Sequence, residues 1–357
     1  MATELGKKLA ALGHNVHFVS YALPYRLNNF QPNLFFHEVD VVKYPLFEYP
    51  PYSLSLASKM VEVIEYEKLD LMHVHYAIPH ATSAYLAREI THNKQLKVIT
   101  TLHGTDITLI GQHPSFRSVV RFSIEQSDGI TAVSNFLKDE TIQAFDIHKP
   151  IEVIPNFVPD DFLSPHSPED VRACCRIQDE LIITHISNFR PLKRTPDIIG
   201  IMRHLVKKYP VKLLMVGDGP DRSLVEKRCH ELDLCRDVLF LGKQDNIADI
   251  LYASDLFLLP SEHESFGLAA LEAMACGVPC ITSNAGGLRE LNKNGETGFT
   301  VAVGDITGFV SAIERLIIDE ELRKKMGQNA RRFALSEFKA DNIVQQYIEF
   351  YERILTS

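Results

Sequence analysis

The strongest constraint in this sequence is an alternation that runs along nearly all of it. Short β-branched, apolar runs are separated by stretches with helical spacing. Strand-like runs fall at residues 15–20, 71–75, 97–103, 129–133 and 151–154, then at 181–187, 211–217, 238–241, 256–259 and 280–283. Helical spacing fills segments such as 81–91, 196–208 and 268–275. Strands joined through helices lie parallel, because each helix carries the chain back across a sheet face. The pattern predicts the α/β class, with doubly wound parallel sheets. A chain of 357 residues exceeds one ordinary core, so two Rossmann-like domains are expected.

The alternation breaks at residues 155–170, PNFVPDDFLSPHSPED, where four prolines and three aspartates read as a linker. This divides the chain into a domain over 1–158, a domain over 159–338 and a terminal helix over 339–357. The helix carries an apolar stripe of Ile343, Val344, Tyr347, Ile348, Tyr351 and Ile354, expected to pack back on the first domain. The chain opens on an amphipathic helix at Ala2. A doubly wound sheet is normally built around a first strand followed by a glycine-rich loop, and both read as missing here.

Composition narrows the function. A net charge of −9 argues against nucleic acid as a partner. No apolar run approaches the roughly 18 residues of a membrane span, and the amino terminus is not a signal peptide. Cys174, Cys175, Cys229, Cys235, Cys276 and Cys280 form no CxxC pair, which reads as reduced thiols in a cytoplasmic protein.

Three segments carry chemistry. The first is SEHESFGLAALEAMACG at 261–277, which holds Glu264, Ser265, Phe266, Gly267, Leu268 and, eight residues after the first glutamate, Glu272. It passes from a strand into a helix, whose free amides suit a phosphate, while Gly267 lets that backbone approach closely. The second is SNFRPLKR at 187–194. Arg190, Lys193 and Arg194 place up to three cations after a strand, where α/β sheets bind ligands and where a diphosphate needs neutralising. The third is TTLHGTD at 100–106, with His103 at a strand end. Gly217, in GDGP, and Gly286–Gly287 mark further strand-end turns. The segment HVHYAIPH brings His73, His75 and His80 together without an adjacent acidic or thiolate partner, so a metal is not expected there.

Taken in order, HGTD, SNFRPLKR, GDGP, ESFGLAALEAMACGVPC and AGGLREL resemble the fourth family of retaining glycosyltransferases. The resemblance covers essentially the whole chain. It implies the GT-B fold, two Rossmann-like domains facing across a cleft, with the acceptor on the first and the nucleotide-sugar on the second. Within the family, HVHYAIPHA, TTLHGTDITL, RFSIEQSD, ISNFRPLKR and FLGKQDN are similar to segments of the N-acetylglucosaminyl L-malate synthases of bacillithiol biosynthesis. That implies transfer of N-acetylglucosamine from UDP-N-acetylglucosamine (UDP-GlcNAc) to the hydroxyl of L-malate, in a bacterial homodimer. The resemblance gives Arg190 and Lys193 the donor diphosphate, although the spacing of this basic pair differs slightly from the family's. Glu264 is given the sugar, the backbone at Gly267 and Leu268 the phosphate, Glu272 the ribose, and His103 the sugar 6-hydroxyl near the reacting carbon. Tyr76, Thr101 and Arg121 are expected to meet malate. Family members begin with a strand and a Gly-Gly-Ser-Gly-type loop ahead of the helix that starts here at Ala2.

No second carboxylate stands ready as a nucleophile, so same-face attack is expected, with cationic side chains in place of a metal and no cofactor. Other readings stay open. One is a family member with a lipid-linked or inositol phosphate acceptor, which would want an exposed apolar or basic face on the first domain; the sequence shows none. Another is a nucleotide-sugar epimerase. A third is a chain that binds the UDP-sugar without turnover.

Overall fold

A computed structural model describes the chain except for residues 25–26, 28–29, 43–47, 110 and 165–166. Contacts divide it into two units, Phe157–Ala340 and a second formed by Met1–Asn156 with Asp341–Ser357.

The described strands of the amino-terminal unit are β1 (Val16–Ser20), β2 (Leu34–Glu38), β3 (Leu71–His75), β4 (Lys97–Leu102), β5 (Gly129–Ala132) and β6 (Glu152–Val153). All pair in parallel, but in two sheets, β1–β2 and β3–β4–β5–β6. The aromatic run LFFHE of β2 is not among the strands read from sequence. Its side chains are half-buried or exposed, so it lacks a clean apolar face.

The terminal helix, Ala340–Thr356, packs on this unit. Ile343, Val344, Tyr347, Phe350 and Tyr351 are buried. A Cβ on Gly129 would lie 2.8 Å from the Phe350 ring, so glycine at the start of β5 lets the helix lie directly on the strand.

The carboxy-terminal unit has β7 (Leu181–Ile186), β8 (Val211–Val216), β9 (Val238–Gly242), β10 (Leu256–Leu259), β11 (Cys280–Ser283) and β12 (Gly298–Val301). They form one parallel sheet in the order β9–β8–β7–β10–β11–β12. This is the doubly wound order 3-2-1-4-5-6, whose direction of winding reverses between β7 and β10. Strand β12 was also missed in the sequence, where Gly-Phe-Thr-Val is too short to show a period. One core includes Ile183, Ile198, Met202, Leu213, Leu256, Ile281 and Phe309; a second cluster includes Ile182, Leu214, Val216 and Ile250. Each fully buried aliphatic side chain contributes roughly 1.5–3 kcal/mol.

The division between the units, after Asn156, falls inside the stretch 155–170 read as the linker, but the stretch is packed. Phe157, Val158 and Phe162 are buried, and Val158 forms a parallel bridge with Lys339. The Phe162 carbonyl accepts from the Tyr252 hydroxyl at 2.9 Å, and Asp160–Phe162 makes a helical turn. Proline and aspartate density marked irregular backbone, which here is packed backbone. Residues 165–166 of that stretch lie outside the described ones.

The terminal helix yields a test. Phe350→Ala removes a buried ring and is expected to cost about 3–5 kcal/mol. Hydrogen exchange should quicken in β3–β5 and stay unchanged in β7–β10; equal loosening of both units would refute the assignment of this helix to the amino-terminal unit.

Candidate functional site

The crevice of a doubly wound sheet lies beyond the carboxyl ends of the strands where winding reverses, which places it after β7 and β10. The segment after β7 is SNFRPLKR and the segment after β10 leads into ESFG. The two basic and acidic motifs thus leave adjacent, hydrogen-bonded strands.

Backbone packing shapes the first loop. Gly217, at the end of β8, has φ +114°, and a Cβ there would stand 1.9 Å from the Ser187 carbonyl oxygen. Gly219 approaches the Asn188 carbonyl oxygen as closely, at 1.9 Å for its would-be Cβ. Phe189 turns with φ 36° and buries its ring in the core. His185 governs this turn from inside β7. Its Nδ1 meets the Leu258 carbonyl oxygen at 2.8 Å and its Nε2 meets Ser187 Oγ at 2.8 Å. A carbonyl only accepts, so Nδ1 carries the proton and Nε2 accepts from the Ser187 hydroxyl. Ser187 Oγ then accepts from the Phe189 amide at 3.2 Å. Burial pushes the His185 pKa down to about 4, with the Lys193 charge acting the same way, so the ring stays neutral.

The loops after β7 and β10 are tied together. The Glu262 amide donates to the Leu192 carbonyl at 2.7 Å. Lys193 Nζ forms an ion pair with Glu264 Oε1, and Ser261 Oγ donates to that oxygen at 2.9 Å. Both charged side chains are mostly covered, at 17% and 12% relative exposure, so the pair holds its shape better than a surface salt bridge. Arg190 is exposed at the head of the Pro191–Lys193 turn. Arg194 does not join them, because it adopts a left-handed conformation and its guanidinium turns to Asp197 at 2.7 Å.

The helix Leu268–Ala275 begins at Gly267, φ +97°, where a Cβ would stand 2.4 Å from Leu288 Cδ2. The Gly287 amide donates to the Glu264 carbonyl at 2.8 Å, so the Gly286–Gly287 turn braces the acidic loop. The helix thus starts directly after the acidic loop that carries Glu264, and free amides of a first helical turn suit a phosphate.

In the amino-terminal unit, His75 and His103 sit at the carboxyl ends of β3 and β4, with His75 Nδ1 2.8 Å from His103 Nε2. Tyr76 adopts φ 77° and its ring lies 4.9 Å from that of His103. Asp106 holds both turns, accepting from the amides of Ala77 at 2.7 Å and Gly104 at 3.1 Å. Burial raises the Asp106 pKa against the pull of those amides. Deeper in, His73 Nδ1 meets the Tyr351 hydroxyl at 2.7 Å and its Nε2 meets Thr101 Oγ1 at 2.7 Å. Desolvation pushes His73 and His103 down to about 3 and His75 well below its ordinary value.

Comparison with known proteins places this geometry. The family model for Glycosyltransferase Family 4 matches residues 1–162, and that for Glycosyl transferases group 1 matches residues 170–333. A Bacillus anthracis protein described as N-acetyl-alpha-D-glucosaminyl L-malate synthase is 47% identical over 356 residues, covering 99% of this chain and 93% of that protein. The chain belongs to the family 4 glycosyltransferases. Among solved structures, Anabaena HepE in complex with UDP and glucose matches this glycosyltransferase with TM-score 0.84, at 21% identity, over 99% of this chain and 95% of that one. Sucrose-phosphate synthase from Thermosynechococcus elongatus matches with TM-score 0.83, at 23% identity, over 99% and 92%. At these identities the likeness is one of fold, and the fold is GT-B, with two Rossmann-like domains.

The glycosyltransferase places most residues read from its sequence at strand ends, with corrections. Lys193 and Glu264 meet, and Gly217 and Gly267 allow the close approaches described. Glu272 is nearly buried in the helix after Gly267, and Ser265 lies against Gly287. Phe266 offers no ring to a ligand, since it is buried edge-on against Phe338, centroids 5.6 Å apart. Thr101, expected at the acceptor, is fully buried and spends its hydroxyl on His73 and on Thr131 at 2.6 Å. Arg121 is exposed and reaches Asp146 at 3.2 Å. An exposed apolar face exists after all: the helix Pro114–Gln126 presents Phe116, Val119 and Phe122, each over 40% exposed. No helix among the described residues is long and apolar enough to cross a membrane. His185, Ser187 and Asp106 are positioning residues that sequence reasoning passed over. The signal available for His185 was a lone histidine inside the apolar run LIITHIS.

The histidines set a pH dependence. Unfolded histidine ionises near 6.5, whereas His73 and His103 are held near 3 in the fold. Between those values the unfolded chain binds more protons, so stability falls as pH falls. Each of the two contributes up to about 1.4 kcal/mol per pH unit well below pH 6.5. Asp106, raised by burial, acts with the opposite sign. The urea midpoint of the amino-terminal unit should drop between pH 7 and 5; a flat midpoint would mean these rings are solvated.

Proposed function

We propose that this glycosyltransferase moves N-acetylglucosamine from UDP-GlcNAc to the hydroxyl of L-malate with retention at the anomeric carbon, the first step of bacillithiol biosynthesis. The observation that carries donor and acceptor is the 47% identity, over 99% of the chain, to a protein of that description. The Lys193–Glu264–Ser261 assembly at the β7/β10 reversal supports a sugar diphosphate as donor.

In this reading Arg190, Lys193 and the amides after Gly267 take the diphosphate. Glu264, already fixed by Lys193 and Ser261, accepts from sugar hydroxyls, and Glu272 meets the ribose. As the bond from the anomeric carbon to the phosphate oxygen breaks, its electron pair passes to UDP, and the waiting cations stabilise the charge that develops. The malate hydroxyl attacks from the same face and gives its proton to the departing phosphate. His103 is neutral and serves as a hydrogen-bonding partner of the sugar 6-hydroxyl rather than as a cation. The cationic side chains take the part a metal plays elsewhere, so excess chelator should leave turnover unchanged. Tyr76 and Arg121 remain as acceptor contacts. The Arg121–Asp146 pair is exposed and therefore weak enough to exchange for a carboxylate of malate. A nucleotide-sugar donor and six free cysteines fit a cytoplasmic enzyme, and the homodimer implied by resemblance is tested by its mass in solution.

A lipid-linked acceptor is the second reading, favoured by the exposed Phe116, Val119 and Phe122. Against it, the nearby Arg117 is engaged by the chain itself, donating to the Ala144 carbonyl at 2.7 Å.

UDP release from UDP-GlcNAc, with and without L-malate, tests the proposal. Malate-dependent release is expected. Lys193→Ala should lower kcat by about 10²–10³-fold, the scale for losing one charge-stabilising donor. Arg121→Ala should raise the KM for malate and leave UDP binding intact. Release that ignores malate but responds to vesicles bearing a lipid-linked acceptor would replace the first reading with the second.

A further inference from the structure

The β1–β2 sheet carries a cluster of possible metal ligands. His17 pairs in register with Phe35, and His37 lies two residues further along the same face of β2. The His17 ring stacks on Phe35 at 4.6 Å between centroids and on His37 at 5.2 Å. These contacts bring His17 Nδ1 to 2.9 Å from His37 Nε2. Glu67, the last residue of the helix Tyr52–Glu67, completes the group, and the ligand atoms of all three lie within 4.8 Å of one another.

We propose that His17, His37 and Glu67 form a binding site for a divalent transition cation of the zinc class, outside the transfer site, with water as fourth ligand. Nitrogen and carboxylate ligands held 2.0–2.2 Å from a tetrahedral ion stand about 3.3–3.5 Å apart. The two nitrogens need open by only a few tenths of an ångström, and the exposed Glu67 side chain has the freedom to close the rest. Two imidazoles and one carboxylate with an open position are the donor set such ions prefer over magnesium or calcium. The site also lies at a helix carboxyl end, where the backbone dipole favours a cation. A bound ion would clip the β1–β2 sheet to the helix Tyr52–Glu67.

A second cluster of possible ligands serves as the control. Cys235 Sγ is 3.2 Å from His230 Nδ1 and 3.9 Å from Cys229 Sγ. Burial pushes the Cys229 thiol up to about 12, which opposes the thiolate a metal needs.

The test uses the intact chain, stripped of metal by chelator and titrated with Co²⁺ and then Zn²⁺. Expected are one tightly bound equivalent, displacement of Co²⁺ by Zn²⁺, and an X-ray absorption shell of nitrogen and oxygen only. Glu67→Gln changes an exposed side chain and keeps the histidine pair; it should weaken binding about tenfold or more, the scale seen even for outer-shell changes. His37→Ala should abolish binding, and Cys235→Ser should leave it unchanged. No bound equivalent, sulfur in the shell, or equal affinity in Glu67→Gln would each overturn the proposal. Malate-dependent turnover of the metal-free chain is a separate readout, so this inference and the transfer reaction fail independently.

Discussion

Everything chemical in the carboxy-terminal unit depends on the pairing of β7 with β10. That parallel pair, with Leu256 opposite Ile183 and Phe257 opposite Thr184, is where the sheet's winding reverses. The connections leave to opposite faces there, and the strand ends are left uncovered. The arrangement alone brings a basic loop and an acidic loop, over seventy residues apart in sequence, to one place. The hydrogen bond from the Glu262 amide to the Leu192 carbonyl then fixes their spacing.

The two units handle polar groups by different rules. At the β7/β10 reversal the charges remain charges: Lys193 and Glu264 neutralise each other while keeping some contact with solvent. Such a pair is preorganised, with its donor and acceptor held in place by the neighbouring Ser261 hydroxyl and loop backbone. At the ends of β3 and β4 the histidines are desolvated and neutral, joined through rings, hydroxyls and one clasped carboxylate. A neutral network in that setting supplies direction rather than charge, because each nitrogen is committed as donor or acceptor.

Much of this was legible in the chain. Ten strands were visible from β-branched runs, and the terminal helix from its apolar stripe, because burial of one face writes a period into the sequence. The strands β2 and β12 were not visible, one half-exposed and the other four residues long. The division between the units does fall within residues 155–170, but their packing was not legible, since composition reports backbone irregularity and not burial. Arg194 looked equivalent to Arg190 and Lys193 until its left-handed backbone turned it toward Asp197. Phe266 and Thr101 looked available until packing closed over them.

The sequence by itself determined the class of fold and which motifs follow which strands, because those properties are local: side-chain period, turn residues and the chemistry of each motif. The family resemblance was legible for the same reason. Only the tertiary structure decided the strand order, the pairing of Lys193 with Glu264, the neutrality of His185 and the meeting of His17, His37 and Glu67. Those depend on contacts between residues far apart in the chain, and on desolvation that no residue reports until its neighbours are packed around it.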